Sequence, residues 1–227
     1  MSFSPKMERK LAAIMFTDII GYSKLMNTDE ENALKILDVH DEILKNVLEK
    51  FNGSLIKKMG DGTLVEFNST LDATKCAINL QKDITDLNNL KNQKNKFNIR
   101  IGIHIGDIVK KDNDIFGDGI NVASRIINFA DSGGICLSKE ASIALKGQND
   151  IITASIGIHE LKNIAGDWDL HRVFLSKKDF KEWSERNYLE NQKNQKTAKK
   201  FKSILISIFL LFFATISCQF ILNKYLD

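Results

Sequence analysis

Asp61 stands between two glycines in the stretch Lys57 to Phe67, KKMGDGTLVEF, and is flanked on both sides by strand-forming residues. Gly60-Asp61-Gly62 therefore reads as a tight hairpin turn that lifts a carboxylate to a point where bare backbone can approach a ligand. A second aspartate, Asp18, ends an apolar run and precedes a glycine three residues on (Asp-Ile-Ile-Gly, 18–21). Two such carboxylates with no Cys or His ligand nearby suit a hard cation, Mg²⁺ or Mn²⁺, which keeps its waters and takes phosphate oxygens from a substrate. Two metal ions at one such site can clamp the attacking and leaving oxygens of an in-line displacement. Backbone amides at Ile19 to Gly21 add anion-binding donors, so the combination points to phosphoryl chemistry. A third stretch, Asp114 to Arg125 (DIFGDGINVASR), adds an acid, an amide and a guanidinium, with Asn121 and Arg125 four residues apart on one helix face.

The elements that must carry these residues follow from periodicity. Lys10 to Ile19 reads as a buried strand with Asp18 at its C-terminal tip. Thr28, followed by three acids, is expected to cap a long amphipathic helix that stops at Gly53. Ser54–Met59 and Thr63–Phe67 form the arms of the Asp61 hairpin, and a second helix starts after Ser69. Residues 97–106 alternate as a strand, and 107–110 are expected to pair back across Gly106. Asp118 is expected to cap the helix of Asn121, Gly133-Gly134 to end it, and Ser138 to cap a brief helix. The remainder to Leu175 reads as β-rich. The order predicts an α+β fold, a ferredoxin-like βαββαβ sandwich of mostly antiparallel strands with helices on one face.

The ordered motifs FTDIIGYSKL (16–25), LIKKMGDGTLVEF (55–67), IRIGIHIGDIV (99–109) and DIFGDGINVASRI (114–126) resemble the class III nucleotidyl cyclase catalytic domain, over about Lys10 to Leu175. The resemblance implies two-metal conversion of a nucleoside triphosphate to a 3′,5′-cyclic nucleotide and pyrophosphate. It implies Asp18 and Asp61 as metal ligands, Lys57 and Asp114 as readers of the base, Asn121 as the residue that orients the ribose, and Arg125 as the group that steadies the pentavalent phosphorus. Lys162 falls where related cyclases place a triphosphate-binding cation, and Ile19 and Gly21 fall at the phosphate-binding backbone. The family also implies a head-to-tail homodimer, with the metals held by one protomer and Lys57, Asp114, Asn121 and Arg125 supplied by the other.

Given those roles, base choice has a physical basis. A cationic donor beside an anionic acceptor matches the ring nitrogen and amino group of adenine, whereas guanine reverses both. Each mismatch left buried costs about 1–3 kcal/mol, so ATP is favoured over GTP. Cytosine also presents an amino donor beside a ring acceptor, so the pyrimidine triphosphates stay open.

Other features are read as structural. His104 sits in an alternating strand, Lys58 is either solvated or on phosphate, and Gly117 and Gly119 form only a lone GxG. No Walker A or GGDEF-like pattern occurs. Cys76, Cys136 and Cys218 have no metal or disulfide spacing and read as reduced, packed thiols. The 227 residues carry a net charge of +3. The basic excess gathers at Lys193, Lys196, Lys199, Lys200 and Lys202 rather than in a nucleic-acid groove. These lysines precede residues 203–222, SILISIFLLFFATISCQFIL, twenty residues without a charge or proline. That length spans about 30 Å as a helix and predicts a C-terminal transmembrane helix. The lysines place the catalytic domain on the cytoplasmic side, and the polar opening Met1 to Lys10 carries no secretory signal. The expected organisation is a lead (1–9), a catalytic domain (10–176), a charged linker (177–202), the membrane helix (203–222) and a short tail (223–227).

Overall fold

The structure, a computed structural model, describes residues 7–90, 95–112 and 114–190, together with 192–194, 196, 197, 199, 201, 202 and 205. The chain divides into two compact units, the first ending at Lys177. In the first, β1 (Glu8–Ile19) is followed by α1 (Tyr22–Thr28), α2 (Glu30–Lys50), β2 (Ser54–Met59), β3 (Gly62–Phe67) and α3 (Thr70–Leu90). Then come β4 (Ile99–Lys111), β5 (Asp114–Phe116), α4 (Asp118–Ile126), β6 (Ile135–Ser138), α5 (Lys139–Ala144), β7 (Ile152–Glu160) and β8 (Asp167–Phe174). In the second unit, residues 178–190 are helical. Among the described residues no helix is long and apolar enough to cross a membrane. The predicted span 203–222 lies outside the described residues apart from Leu205.

The strands form one eight-stranded sheet in the order β2-β3-β1-β4-β6-β8-β7, with β5 also on β4. The first four positions are antiparallel throughout, the arrangement expected of a βαββαβ unit. Beyond them the sheet is mixed, because β6 joins β4 in parallel.

β1 is the centre of the molecule, and Ala12 to Thr17 are all buried. A strand with both faces apolar needs cover on both sides. Ala13 and Met15 pack with Leu44 of α2 and Leu80 of α3, whereas Ala12, Ile14 and Phe16 pack with Ala123 of α4 and with Ile127. Helices therefore cover both faces, which corrects the one-sided arrangement predicted above. The end of α4 lies so close to β4 that a Cβ at Gly102 would sit 2.6 Å from the Ile127 nitrogen, a clash that only glycine avoids.

Local details also differ from expectation. β4 does not turn at Gly106: Asp107 pairs with Leu11 and Lys110 with Glu8, since the twelve residues of β1 offer a continuous partner. The long helix is capped by Asp29, whose carboxylate accepts from the Asn32 amide. Thr28 instead ends α1, its hydroxyl donating to the Lys24 carbonyl at 3.1 Å. The N-cap of α4 is Gly117, and Asp118 is the first helical residue. Ser138 caps α5 as expected, accepting from Ala141. Burial pushes the Cys76 and Cys136 thiols up to about 12, as packed and unreactive groups.

Candidate active site

Asp18 is the penultimate residue of β1, and Asp61 sits in the turn between β2 and β3. Gly60 takes φ 66 there, a left-handed conformation that suits glycine and makes the tight reversal possible. The approach of the two strands is pinned just behind the acids. Thr17 and Thr63 are direct cross-strand partners, both 1% exposed, with their hydroxyls 2.6 Å apart. The Asp61 carboxylate accepts from the Ile19 amide at 3.2 Å and lies near enough to Asp18 to feel its charge. Burial, and then the negative charge of Asp18, holds the Asp61 carboxyl above the usual range.

Such a pair of crowded, part-exposed acids is the donor set a hard divalent cation wants. Among the described residues no group of three or more His, Cys, Asp or Glu gathers. Remaining ligands would thus come from water, backbone carbonyls and phosphate, which suits Mg²⁺ or Mn²⁺ and disfavours zinc. One participant was not foreseen. Arg100, the cross-strand partner of Asp18, donates to Asp18 Oδ2 through Nε at 3.1 Å and also through Nη2. Its signal was a lone cation in the apolar alternation of β4. The Ile20 amide donates to the Asn98 carbonyl, so in this state two of the three backbone donors near Gly21 are engaged.

Lys57 and Asp114, from β2 and β5, meet with Nζ 2.7 Å from Oδ2. The hydrogen bond from Lys57 holds the Asp114 carboxyl below its usual range. The two side chains are 42% and 38% exposed and line a cavity of about 400 Å³ with Ile56 and Phe116. A donor and an acceptor thus stand side by side where a flat heterocycle could lie.

A groove of about 940 Å³ brings Asn121, Arg125 and Lys162 together over a floor that includes His104, Gly106 and Trp168. Arg125 is steadied by donating from Nε to the Lys162 carbonyl at 3.4 Å. His104 is buried, bonded through Nδ1 to Ser138 Oγ at 2.8 Å, and packed edge-on against Trp168. Burial lowers its pKa and favours a neutral ring, in keeping with a structural role. Lys58 points away from this face and pairs with Asp41 of α2. Asp18 and Asp61 do not line the groove. Gly106 in its floor pairs with Ala12, six residues from Asp18 and therefore about 20 Å along the strand. One chain thus holds the carboxylate pair and the Asn121 groove at two separate places.

Residues 5–177 match the family model described as the adenylate and guanylate cyclase catalytic domain. A Rhizobium meliloti (strain 1021) protein named "Putative adenylate cyclase 3" is 40% identical over 157 residues, covering 69% of this chain and 27% of its own length. Two other curated relatives are matched over 16% and 31% of their length, so the chain spans a minor part of each. The crystal structure of an adenylate/guanylate cyclase/hydrolase from Silicibacter pomeroyi superposes with a TM-score of 0.69 at 32% identity, covering 74% of this chain and 98% of that one. The adenylyl cyclase CyaB of P. aeruginosa shares the fold, with a TM-score of 0.67 at 21% identity and coverage of 77% and 98%.

Proposed function

The chain belongs to the adenylate and guanylate cyclase catalytic-domain family, and we propose that it converts ATP into 3′,5′-cyclic AMP and pyrophosphate at sites shared by two copies of the chain. The observation that carries the choice of base is the Lys57–Asp114 pair at 2.7 Å. Lys57 donates to a ring nitrogen of adenine and Asp114 accepts from its amino group. Guanine would face both residues with groups of the wrong polarity, at about 1–3 kcal/mol each.

In the reaction the ribose 3′ hydroxyl gives up its proton to water, its oxygen bonds to the α-phosphorus, and the bond from that phosphorus to the bridging oxygen of pyrophosphate breaks. Asp18 and Asp61 would hold two divalent ions, Mg²⁺ or Mn²⁺, and that charge would favour the ionised 3′ oxygen and offset charge on the phosphates. Asn121 orients the ribose so that the 3′ oxygen lies in line with the leaving group. Arg125 sets its fixed positive charge against the oxygens of the five-coordinate phosphorus. Lys162, which lines the same groove, and the backbone at Ile19 and Gly21 take the remaining phosphates. The separation of the carboxylates from the Asn121 groove supports completion of each site by a second protomer, hence a homodimer.

The uncharged stretch 203–222 supports a C-terminal membrane anchor, with the preceding lysines keeping the catalytic domain cytoplasmic. The decisive experiment gives the full chain, in detergent, each of ATP, GTP, CTP and UTP with Mn²⁺ and identifies products by chromatography and mass spectrometry. Cyclic AMP and pyrophosphate should dominate; no cyclic product from any substrate would refute the proposal, and another cyclic nucleotide would reassign the base. Carbonate washing of the source membranes should leave the full-length protein in the pellet.

A further inference from the structure

β2 and β5 are separated in the sheet by β3, β1 and β4. Four strand spacings of about 4.8 Å would hold them about 19 Å apart if the sheet were flat. Instead β2 and β5 come into contact, and Lys57 reaches Asp114. The sheet therefore curls at this end, with its α4 face concave. Leu64, Ile108 and Ile115, from β3, β4 and β5, fill the concavity together with Ile14.

One carboxyl group shares that interior. Glu66 stands two residues beyond Leu64 on the same face of β3 and is only 3% exposed. Its carboxylate pairs with Lys10 of β1, and with Lys110 of β4 at 3.8 Å. Lys10 is held further by donating to Asn68 Oδ1 at 3.2 Å. Glu66 Oε2 is buried without a hydrogen-bond donor. A single carboxylate thus links the three strands that lie between Lys57 and Asp114. Replacing a buried ionic group with an apolar side chain of similar volume is commonly neutral or stabilising. Stability alone therefore does not explain an acid at this position.

We propose that Glu66 is a positioning residue for base selection: by drawing Lys10 and Lys110 together inside the curl, it holds Lys57 and Asp114 at the spacing that reads adenine. The role rests on the adenine reading given above. Glu66 does not touch the nucleotide, and it acts through the distance between the two residues that do.

The test compares the full-length wild type with Glu66→Gln, measuring kcat and KM for ATP and for GTP and, separately, the affinities for fluorescent ATP and GTP analogues. A structural role alone would lower the activity with both nucleotides by the same factor. A positioning role predicts an ATP KM raised several-fold with kcat changed less, and an ATP-over-GTP preference reduced about tenfold in turnover and in binding. Lys10→Gln should shift the same ratio in the same direction, and it serves where Glu66→Gln folds poorly. An unchanged ratio in the folded variants would overturn the role of Glu66 and leave the proposed function standing. A wild type with no preference for ATP would overturn both.

Discussion

Two carboxylate clusters flank β1, and their charge balance is opposite. At its C-terminal end two acids, Asp18 and Asp61, stand with one cation, Arg100, which pairs with Asp18; the Asp18 and Arg100 side chains are 29% and 30% exposed. Toward its N-terminal end Glu66 alone faces two cations, Lys10 and Lys110, and is sealed from solvent. Carboxylates left short of positive charge at an accessible place are poised to receive it from outside. A carboxylate given more than its share, in a closed place, serves the fold around it. Both places rest on the same strand and the same residue chemistry, so surroundings rather than residue type separate the proposed metal site from the proposed brace.

The contrast is tested most strongly at Asp18. Asp18→Ala should lower turnover by roughly 10³-fold or more while leaving the protein folded, and Arg125→Ala should lower it by about 10²–10³-fold. In the proposed homodimer, mixing the two inactive variants would give heterodimers in which one site carries both lesions and the other neither, so activity should return, up to about half per heterodimer. Subunit exchange without recovery would mean that each site is built within one chain.

Deleting one cation at each end gives a smaller effect. Lys10→Met leaves Glu66 buried with only the distant Lys110, and should cost about 1–3 kcal/mol in urea unfolding. Arg100→Gln removes a partner from a part-exposed acid and should cost less than about 1 kcal/mol. Equal costs would erase the distinction between brace and receptor.

The smallest effect concerns pH. The Asp61 carboxyl is held above its ordinary value, chiefly by burial and then by Asp18. The folded state therefore binds this proton more tightly than the unfolded chain does. The stability it contributes is present at acid pH and is lost as pH rises through the raised value. Without metal, Asp61→Asn should thus melt slightly higher than wild type at pH 7, and the gap should close as pH falls toward about 4. A gap that widens on acidification would show that Asp61 is stabilised as the anion.

Much of this was legible along the chain because it depends on neighbours a few residues apart. Apolar spacing marked α2 and α3, Gly60-Asp61-Gly62 marked the turn, and the apolar run before Asp18 marked a strand buried on both faces. The motifs at 16–25, 55–67, 99–109 and 114–126 identified the candidate site residues and the family. Near-neighbour alternatives were harder to separate: Thr28 and Asp29 are both good caps, and α1 decided between them by using the Thr28 hydroxyl at its own end. Long-range pairing was not legible. Arg100 meets Asp18 across 82 residues because β4 runs antiparallel to β1 in one particular register. Lys57 meets Asp114 because the intervening strands curl, and α4 lies opposite α2 and α3 because both faces of β1 must leave water. Local periodicity states which face of an element is apolar, but register, curl and the choice of covering partner follow from burying all those faces at once, and that solution exists only in three dimensions.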